Sequence, residues 1–218
     1  MRIGFLGGTG TEAKGLALRF ACAGAQVILG SRRGDRAAGT AADYNRLLGQ
    51  ASIEGETNRE MLSRCSLVFL TVPFDQAVSA VEACRQDFPS GLVLVDVTVP
   101  MQFKNGQADF VEQERGSNSE IIAGSLPAGV DLVAAFKTIP AHLLAETDRP
   151  LDCDVFVCGD SAGARQTVIE AARMIPTLRP LDAGPLRNAR ILERMTFLVA
   201  QLNRRYKSKS ARYRIVGV

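Results

Sequence analysis

The chain has 218 residues, of which 46% are hydrophobic and 22% are charged, and its formal net charge is +3. These values are close to globular averages and exclude a largely disordered chain, and the small charge does not indicate nucleic acid or an anionic membrane as a partner. No run approaches the ~20 apolar residues that span a bilayer, and the first glycine turn comes too early for a signal-peptide core. We therefore expect a cytoplasmic protein that binds neither membranes nor nucleic acid.

The first half of the chain alternates short apolar runs with helical patterns. The predicted elements are a strand at 2–6, a helix at about 12–23, a strand at 26–30, a helix at about 34–48, a strand at 67–72, a helix at about 74–86 and a strand at 92–97. Strands that alternate with helices indicate parallel pairing through right-handed crossovers. The pattern predicts an α/β fold, a Rossmann-type doubly wound parallel sheet.

The second half of the chain is less regular. Residues 101–118 are polar and are predicted to be irregular, ahead of a helix near 119–123 and a strand at 131–136. Beyond Pro150 we predict a strand at 155–158, a helix at 161–175, a short strand at 179–182 and a helix at about 187–206. The chain is therefore divided into a Rossmann domain at 1–147 and a small C-terminal α/β extension at 148–218, with a soft boundary near 145–150.

A glycine loop directly after the first strand predicts a dinucleotide site. Residues 8–13 read Gly-Thr-Gly-Thr-Glu-Ala and match the G-x-G-x-x-A pattern between a strand and a helix. Gly8 permits the tight turn, Gly10 lets the backbone approach a pyrophosphate, and Ala13 keeps the helix close to the sheet. The exposed N–H groups at the start of that helix face the phosphates.

The end of the second strand distinguishes the two nicotinamide dinucleotides. An NAD-binding protein carries an acidic residue there for the ribose hydroxyls, whereas the 2′-phosphate of NADP requires cations and hydroxyls. This chain has Ser31, Arg32 and Arg33, with Arg36 one helical turn further on. Because arginine donates paired hydrogen bonds to phosphate, these residues predict NADP(H) as the cofactor.

Several later segments complete a pattern that extends along the chain. They are Thr71-Val72-Pro73-Phe74, Lys137-Thr138-Ile139-Pro140-Ala141, Val157-Cys158-Gly159-Asp160 and the stretch at 178–186. Together with the glycine loop, they resemble, in order and spacing, the NADPH:coenzyme F-420 oxidoreductases over nearly the whole chain. The resemblance implies hydride exchange between NADP(H) and the deazaflavin coenzyme F-420, with the C-terminal domain completing the acceptor site.

The resemblance also implies particular contacts. NADP would be contacted by Thr9, Gly10, Thr11, Glu12, Ser31, Arg32, Arg36, Val72, Gln76, Val99 and Ala141. The deazaflavin would stack on the nicotinamide near Ile139, Pro140 and Thr196. Hydride transfer between two rings needs positioning instead of a nucleophile or an acid–base pair, so few catalytic-looking residues are expected.

Lys137 stands where the archaeal members of this family usually have histidine. As a functional residue it would pair with an anionic acceptor, or it would donate a proton to a carbonyl or imine as hydride arrives. A third interpretation is a lysine that points into solvent from a strand end. The alternatives to a coenzyme F-420 reductase are therefore an NADPH-dependent reductase of a small carbonyl, imine or pterin-like compound, and a non-catalytic NADPH sensor.

The remaining features bear on partners. The last helix carries an apolar stripe at Ile191, Leu192, Met195, Leu198, Val199 and Leu202, which must pack on the main domain or on a second subunit, and we expect a homodimer. The basic residues at 204–214 suit either a rim that attracts the phosphate and glutamyl tail of a deazaflavin or a solvated tail. The five scattered cysteines are expected to be buried thiols, and with one histidine in the chain no metal site is expected.

Overall fold

The computed structural model describes residues 1–104 and 107–218, which form ten strands and eight helices in these ranges. The strands are β1 (Arg2–Leu6), β2 (Gln26–Ser31), β3 (Ile53–Thr57), β4 (Leu67–Leu70), β5 (Val93–Asp96), β6 (Met101–Lys104), β7 (Gln107–Phe110), β8 (Asp131–Ala134), β9 (Cys153–Gly159) and β10 (Leu178–Asp182). The helices are α1 (Thr11–Cys22), α2 (Gly34–Leu48), α3 (Asn58–Arg64), α4 (Ala77–Ala83), α5 (Asn118–Ser125), α6 (Ala141–Ala145), α7 (Ala162–Met174) and α8 (Ala189–Arg205). Short 3-10 turns precede α4 and α8 at Phe74–Gln76 and Leu186–Asn188.

Eight strands form one sheet in the order β10-β9-β8-β5-β4-β1-β2-β3. Within this sheet, every neighbouring pair in the run β8-β5-β4-β1-β2-β3 is parallel, which confirms the Rossmann-type α/β fold. Both faces of this sheet are covered, as the side chains of β4 show: Leu67 and Phe69 pack in one apolar cluster and Val68 and Leu70 in the other. Burial on both faces explains why β4 is a continuous apolar run instead of an alternating one.

The C-terminal extension joins the same sheet through an antiparallel contact. β9 meets β8 only at the pairs Val133–Gly159 and Ala134–Cys158, and β10 then pairs with β9 in parallel. The predicted boundary near residue 147 falls between α6 and β9. However, Val155 and Val157 of β9 belong to the same buried cluster as Ile3 of β1, so the two parts share a core.

Several local predictions were wrong or incomplete. The segment between α2 and β4, for which the sequence predicts no element, forms β3 and α3. Helix α3 begins with a capping box in which Thr57 and Glu60 satisfy each other's backbone N–H groups. The region predicted as irregular contains the antiparallel pair β6–β7. Residues 105 and 106 of this region lie outside the described residues. The Asn-Gly dipeptide between two short runs is a hairpin signal that was available in the sequence.

Exposure differs within two sets of residues that the sequence treats alike, the apolar stripe of the last helix and the cysteines. α8 confirms the predicted final helix, but its apolar stripe is divided: Leu192 and Val199 are buried, whereas Ile191 is 59% and Leu198 47% exposed. Cys22 is exposed, in contrast to the four other cysteines, which are buried free thiols. No helix in the described ranges is long and apolar enough to cross a membrane.

Candidate functional site

A cleft of about 1000 Å³ lies along the carboxyl ends of the central strands. Its walls come from the segments that follow β1, β4, β5 and β8, joined by one side of α8 and the residues after it. In open α/β sheets, ligands bind outside the carboxyl ends of the strands, where the strand order reverses. Here that reversal lies between β1 and β4, and segments that follow both strands line the cleft.

The glycine loop is shaped by close backbone approaches. Gly7 has a positive φ of 79°, and a Cβ there would lie 2.4 Å from the Val72 side chain. A Cβ on Gly8 would lie 3.0 Å from the Leu29 Cα, and the Gly8 N–H donates to the Gly30 carbonyl at 2.9 Å. Ala13 is fully buried against the sheet. The loop therefore turns tightly between β1 and α1 and packs against β2, as the fingerprint requires.

The start of α1 is suited to bind an anion. Gly10 is the N-cap residue and supplies no side-chain cap to the first turn. The first N–H groups of a helix have no partner within the helix, and the helix dipole is positive at this end. Gly10, Thr11 and Glu12 all line the cleft. A pyrophosphate fits this position because it would accept from those N–H groups.

The predicted 2′-phosphate residues lie beside the glycine loop, because β2 pairs with β1 and Gly30 is the register partner of Leu6. Ser31 is nearly buried, and its hydroxyl accepts from the Arg33 N–H at 3.2 Å. The Arg33 guanidinium is bound to Asp35 through two hydrogen bonds at 2.6 and 3.2 Å. Among the described residues, Arg32 and Arg36 form no ion pair, so their guanidinium groups are available.

The structure separates the predicted site residues into two groups. Those that line the cleft are Gly10, Thr11, Glu12, Val72, Val99, Lys137, Ile139, Ala141 and Thr196. Those that do not line it are Gly8, Thr9, Ser31, Arg32, Arg33, Arg36 and Gln76. Gln76 ends the 3-10 turn whose first two residues, Phe74 and Asp75, are in the cleft wall.

Lys137 is not a solvent-exposed lysine at a strand end. Its side chain has 0% exposure, and its Nζ donates to Asp96 Oδ2 at 2.8 Å and to the Thr98 carbonyl. Glu193 Oε1 of α8 lies 3.6 Å from the same ammonium. The residue lines the cleft while its side chain is inaccessible, so the backbone of Lys137 is the part that faces a ligand.

Polar groups from three segments surround this buried ammonium. Asp96 accepts from the Thr98 hydroxyl at 2.7 Å and from the Ser119 hydroxyl at 2.6 Å. Glu193 accepts from the backbone N–H groups of Asn118 and Ser119, at the start of α5, at 3.2 and 3.3 Å. Burial raises the pKa of the Glu193 carboxyl, and the neighbouring ammonium opposes that rise. We call Asp96, Lys137 and Glu193 the buried ionic cluster.

Thr196 connects α8 to the loop that follows β8. Its hydroxyl lies within hydrogen-bond distance of the Lys137 carbonyl at 3.0 Å and of the Leu192 carbonyl at 2.9 Å. Ile139, two residues beyond Lys137, is nearly buried, and Pro140 is half-buried. The predicted acceptor-side residues are thus brought together, on a wall that the buried ionic cluster supports from behind.

Sequence reasoning missed the two carboxylates of that cluster. Asp96 ends an apolar strand, and a charged residue at the end of a buried run was an available signal. Glu193 lies within the helical stripe pattern of α8, where no local feature distinguishes it from a solvated glutamate. The described residues contain no group of three His, Cys, Asp or Glu side chains that could hold a metal ion.

The fold and the cleft together define a Rossmann-type dinucleotide-binding protein. Its glycine loop and its arginines follow two adjacent strands, β1 and β2. A second wall, built by the β8 loop and α8, faces the same cleft.

Comparison with known proteins identifies the family. The model of the family described as "NADP oxidoreductase coenzyme F420-dependent" matches residues 2–100. Two proteins named "F420-dependent NADP reductase" are similar over the whole chain: one from Methanothermobacter thermautotrophicus is 37% identical, with 96% of its length covered, and one from Methanocaldococcus jannaschii is 32% identical, with 99% covered. This chain therefore belongs to the coenzyme F420-dependent NADP oxidoreductase family, as the resemblance predicted.

A solved structure shows the same fold. A putative F420-dependent NADP reductase from Arthrobacter superimposes with a TM-score of 0.82 at 21% identity, covering 99% of this chain and 98% of that one. The agreement includes the C-terminal extension, because the aligned region spans nearly both chains.

Proposed function

We propose that this protein is an oxidoreductase that transfers hydride between NADP(H) and coenzyme F-420. The observation that carries the proposal is that the glycine loop and the wall formed by Ile139, Pro140 and Thr196 line the same cleft. Its volume of about 1000 Å³ is at the upper end of small-molecule sites, which suits two ligand rings better than one small substrate. Full-length similarity to two F420-dependent NADP reductases supports the choice of acceptor.

The residues of this chain would hold and orient the cofactor. Gly8, Thr9 and Gly10 form the turn under the pyrophosphate, and the N-terminus of α1 donates N–H groups to it. Arg32 and Arg36 bind the 2′-phosphate beside Ser31, while Val72, Val99 and Ala141 line the path of the nicotinamide half. NADP supplies the hydride chemistry when it is bound.

Catalysis in this arrangement depends on positioning and on the exclusion of water. Ile139 and Pro140 present an apolar surface at the acceptor side, and Thr196 holds the Lys137 carbonyl in place. Holding two rings at reacting distance removes most of the entropic barrier of a two-substrate reaction. Hydride would pass directly between the rings, and the one proton that balances the reduction of the deazaflavin would come from water, so a buried Lys137 ammonium is compatible with the reaction.

The alternative reductase of a carbonyl, imine or pterin-like compound required Lys137 as proton donor. An ammonium with 0% side-chain exposure, hydrogen-bonded to Asp96 and to the Thr98 carbonyl, does not reach a substrate in the cleft. Its burial therefore favours a role in holding the wall, and this supports hydride transfer between two carriers.

The proposal includes a cytoplasmic enzyme that acts on a small-molecule acceptor, binds no nucleic acid and forms a homodimer. The exposed Ile191 and Leu198 on α8 support the dimer, since apolar side chains at such exposure favour burial against a second copy. Sedimentation equilibrium of the purified protein tests the dimer, and a monomer at every concentration would contradict it.

The direct test is a stopped-flow mixture of protein, NADPH and oxidised coenzyme F-420, followed by the loss of deazaflavin absorbance. We expect rapid bleaching with NADPH and little with NADH. Tight NADPH binding without bleaching would contradict the proposal and would favour either another acceptor or a non-catalytic NADPH sensor.

A further inference from the structure

The chain after α8 turns back at once. Lys207 has a left-handed φ of 51°, its N–H donates to the Arg204 carbonyl at 3.2 Å, and the Ser208 N–H donates to the Asn203 carbonyl at 2.8 Å. These two bonds form a Schellman motif, which ends a helix and reverses the direction of the chain. The Ala211 N–H then donates to the Asn203 side chain at 2.9 Å. We call residues 206–218 the C-terminal strap.

The far end of the strap is anchored to the extension of the sheet. Tyr213 donates its hydroxyl to the Met195 carbonyl at 2.8 Å, and its own carbonyl accepts from the Asp154 N–H at 2.9 Å. Asp154 is fixed by two bonds from Arg179, both at 2.8 Å, and accepts from the Ile215 N–H at 2.6 Å. A segment without helix or strand is thus held at both ends.

The strap contributes to the ligand cleft. Asn203, at the end of α8, and Ser208 and Lys209, in the turn, all line it. Among lysines and arginines whose side chains are described, only Lys137 and Lys209 line the cleft, and Lys137 is held in the buried ionic cluster. Lys209 is exposed and forms no ion pair with any described residue, so its ammonium is available to a ligand.

The position of Lys209 indicates which of the two ligands of the cleft its ammonium would contact. The 2′-phosphate residues Ser31, Arg32 and Arg36 do not line the cleft at all, and the glycine loop supplies its own N–H groups to the pyrophosphate. Thr196, beside the proposed acceptor ring, and Asn203 are seven residues apart on α8, which is roughly 10 Å along the helix axis. Lys209 therefore lies beyond the acceptor ring, where a substituent of the acceptor would extend.

We propose that Lys209, presented by the C-terminal strap, binds an anionic group, a phosphate or carboxylate, carried by the side chain of the acceptor. The inference rests on the proposed function and adds a specificity residue to it. An ammonium in a wide cleft binds such a group as a point charge, which lowers the KM of the charged acceptor without changing the ring chemistry.

The test compares two acceptors in two charge variants. Wild-type protein, Lys209→Gln and the matched control Lys207→Gln are assayed with coenzyme F-420 and with a deazaflavin that lacks the phosphate and glutamyl tail. We expect Lys209→Gln to raise the KM for coenzyme F-420 by about tenfold, with kcat and the Kd for NADPH unchanged. The truncated deazaflavin should show equal KM values in all three proteins, and Lys209→Arg should restore the KM for the full acceptor.

Three other outcomes overturn the inference. An unchanged KM for coenzyme F-420 removes Lys209 from recognition, an equal rise for both acceptors indicates a shape effect, and a raised Kd for NADPH assigns the lysine to the dinucleotide. No bleaching by the wild-type protein contradicts the proposed function instead. In that case, equilibrium binding of both deazaflavins to wild type and to Lys209→Gln still tests the charge contact.

Discussion

At the scale of single residues, the arginines after β2 are not equivalent. Arg33 donates both arms of its guanidinium to Asp35, whereas Arg32 and Arg36 form no ion pair among the described residues. Both Arg33 and Asp35 are exposed, so their pair contributes little to stability but does occupy the fork of Arg33. Arg32 and Arg36 are therefore better candidates for the 2′-phosphate than Arg33.

This difference predicts a selective loss of NADPH affinity. Arg32→Ala should raise the Kd for NADPH by roughly tenfold or more, because a charge-assisted contact with the phosphate is lost, and should leave the Kd for NADH unchanged. Arg33→Ala is the matched control and should have a smaller effect. Titration of nucleotide fluorescence measures both, and an equal loss for NADPH and NADH would contradict the 2′-phosphate assignment.

Lys137 shows how burial changes the role of a residue. The sequence placed it in the motif of the acceptor site, and two functional roles for its ammonium were open. The structure encloses the ammonium between Asp96 and Glu193, with side-chain exposures of 0 to 1% for all three. Removing one charge from such a cluster leaves the others buried without compensation, which is far more costly than losing an exposed ion pair.

The expected consequence of Lys137→Ala is therefore a loss of stability. The free energy of unfolding should fall by about 3–5 kcal/mol, measured by urea denaturation, because Asp96 and Glu193 would lose their counter-ion. Lys14→Ala, at a half-exposed position of α1 without an ion pair among the described residues, should change it by less than about 0.5 kcal/mol. Full stability of Lys137→Ala together with a complete loss of turnover would contradict this expectation and would support Lys137 as a proton donor.

At the scale of elements, α1 supports the cleft in two ways. Its N-terminus faces the cleft, and its middle holds α6, since a Cβ on Gly15 would lie 2.5 Å from the Leu144 Cβ. Arg19 is nearly buried and donates to the carbonyls of Leu143, Leu144, Glu146 and Arg149 at 2.6–2.9 Å. These bonds satisfy backbone carbonyl groups at and just after the end of α6, the helix that begins with Ala141 at the cleft wall.

The anchor of the C-terminal strap should depend on pH. The hydrogen bonds from Arg179 hold the pKa of Asp154 below its ordinary value, and the Ile215 N–H adds to this effect. A carboxyl group with a lowered folded-state pKa contributes stability above its unfolded pKa, and this contribution is lost as the pH falls toward the folded value. The anchor is thus complete at neutral pH and weakens below about pH 4.

Asp154→Asn tests this dependence. We expect the variant to melt at a lower temperature than wild type at pH 7, and the difference in Tm should shrink as the pH is lowered from 6 to 3. Asp43→Asn, on the exposed surface of α2, is the control and should show a much smaller difference at any pH. A Tm difference for Asp154→Asn that does not vary with pH would show that the charge of Asp154 is not what anchors the strap.

At the scale of the whole molecule, the two predicted domains share one sheet and one core. Cys65 and Cys84 lie in the first part and Cys153 and Cys158 on β9, and all four are buried. Burial raises the pKa of Cys65 and Cys153 to about 11 and that of Cys158 to about 12. The thiolate is the reactive form, so these residues are protected by both burial and protonation.

Thiol labelling across a urea gradient can therefore measure cooperativity. In the folded protein we expect a thiol reagent to modify Cys22 alone, because it is the exposed cysteine. The other four should become reactive over one range of urea, since a shared core unfolds as a unit. Labelling of Cys153 and Cys158 at distinctly lower urea than Cys65 and Cys84 would instead show two independent domains.

Much of this molecule could be predicted from short segments of sequence. The alternation of apolar runs and helical patterns predicted the parallel sheet, and the glycine loop and the residues after β2 predicted the dinucleotide. What was missed locally had weaker signals: β3 and α3 lie in a polar stretch, and β6 and β7 are runs of only four residues each.

The sequence by itself determined the fold class, the glycine loop, the choice between NADP and NAD, and the family, because each depends on short segments that can be interpreted one by one in chain order. Tertiary structure alone decided the position of the Lys137 ammonium, which meets Asp96 from 41 residues away, and the path of the strap, where Arg179 reaches the Ile215 carbonyl 36 residues further on. Contacts between such distant residues leave no periodic signal in the sequence. They arise only when the sheet brings the ends of separate strands to one edge.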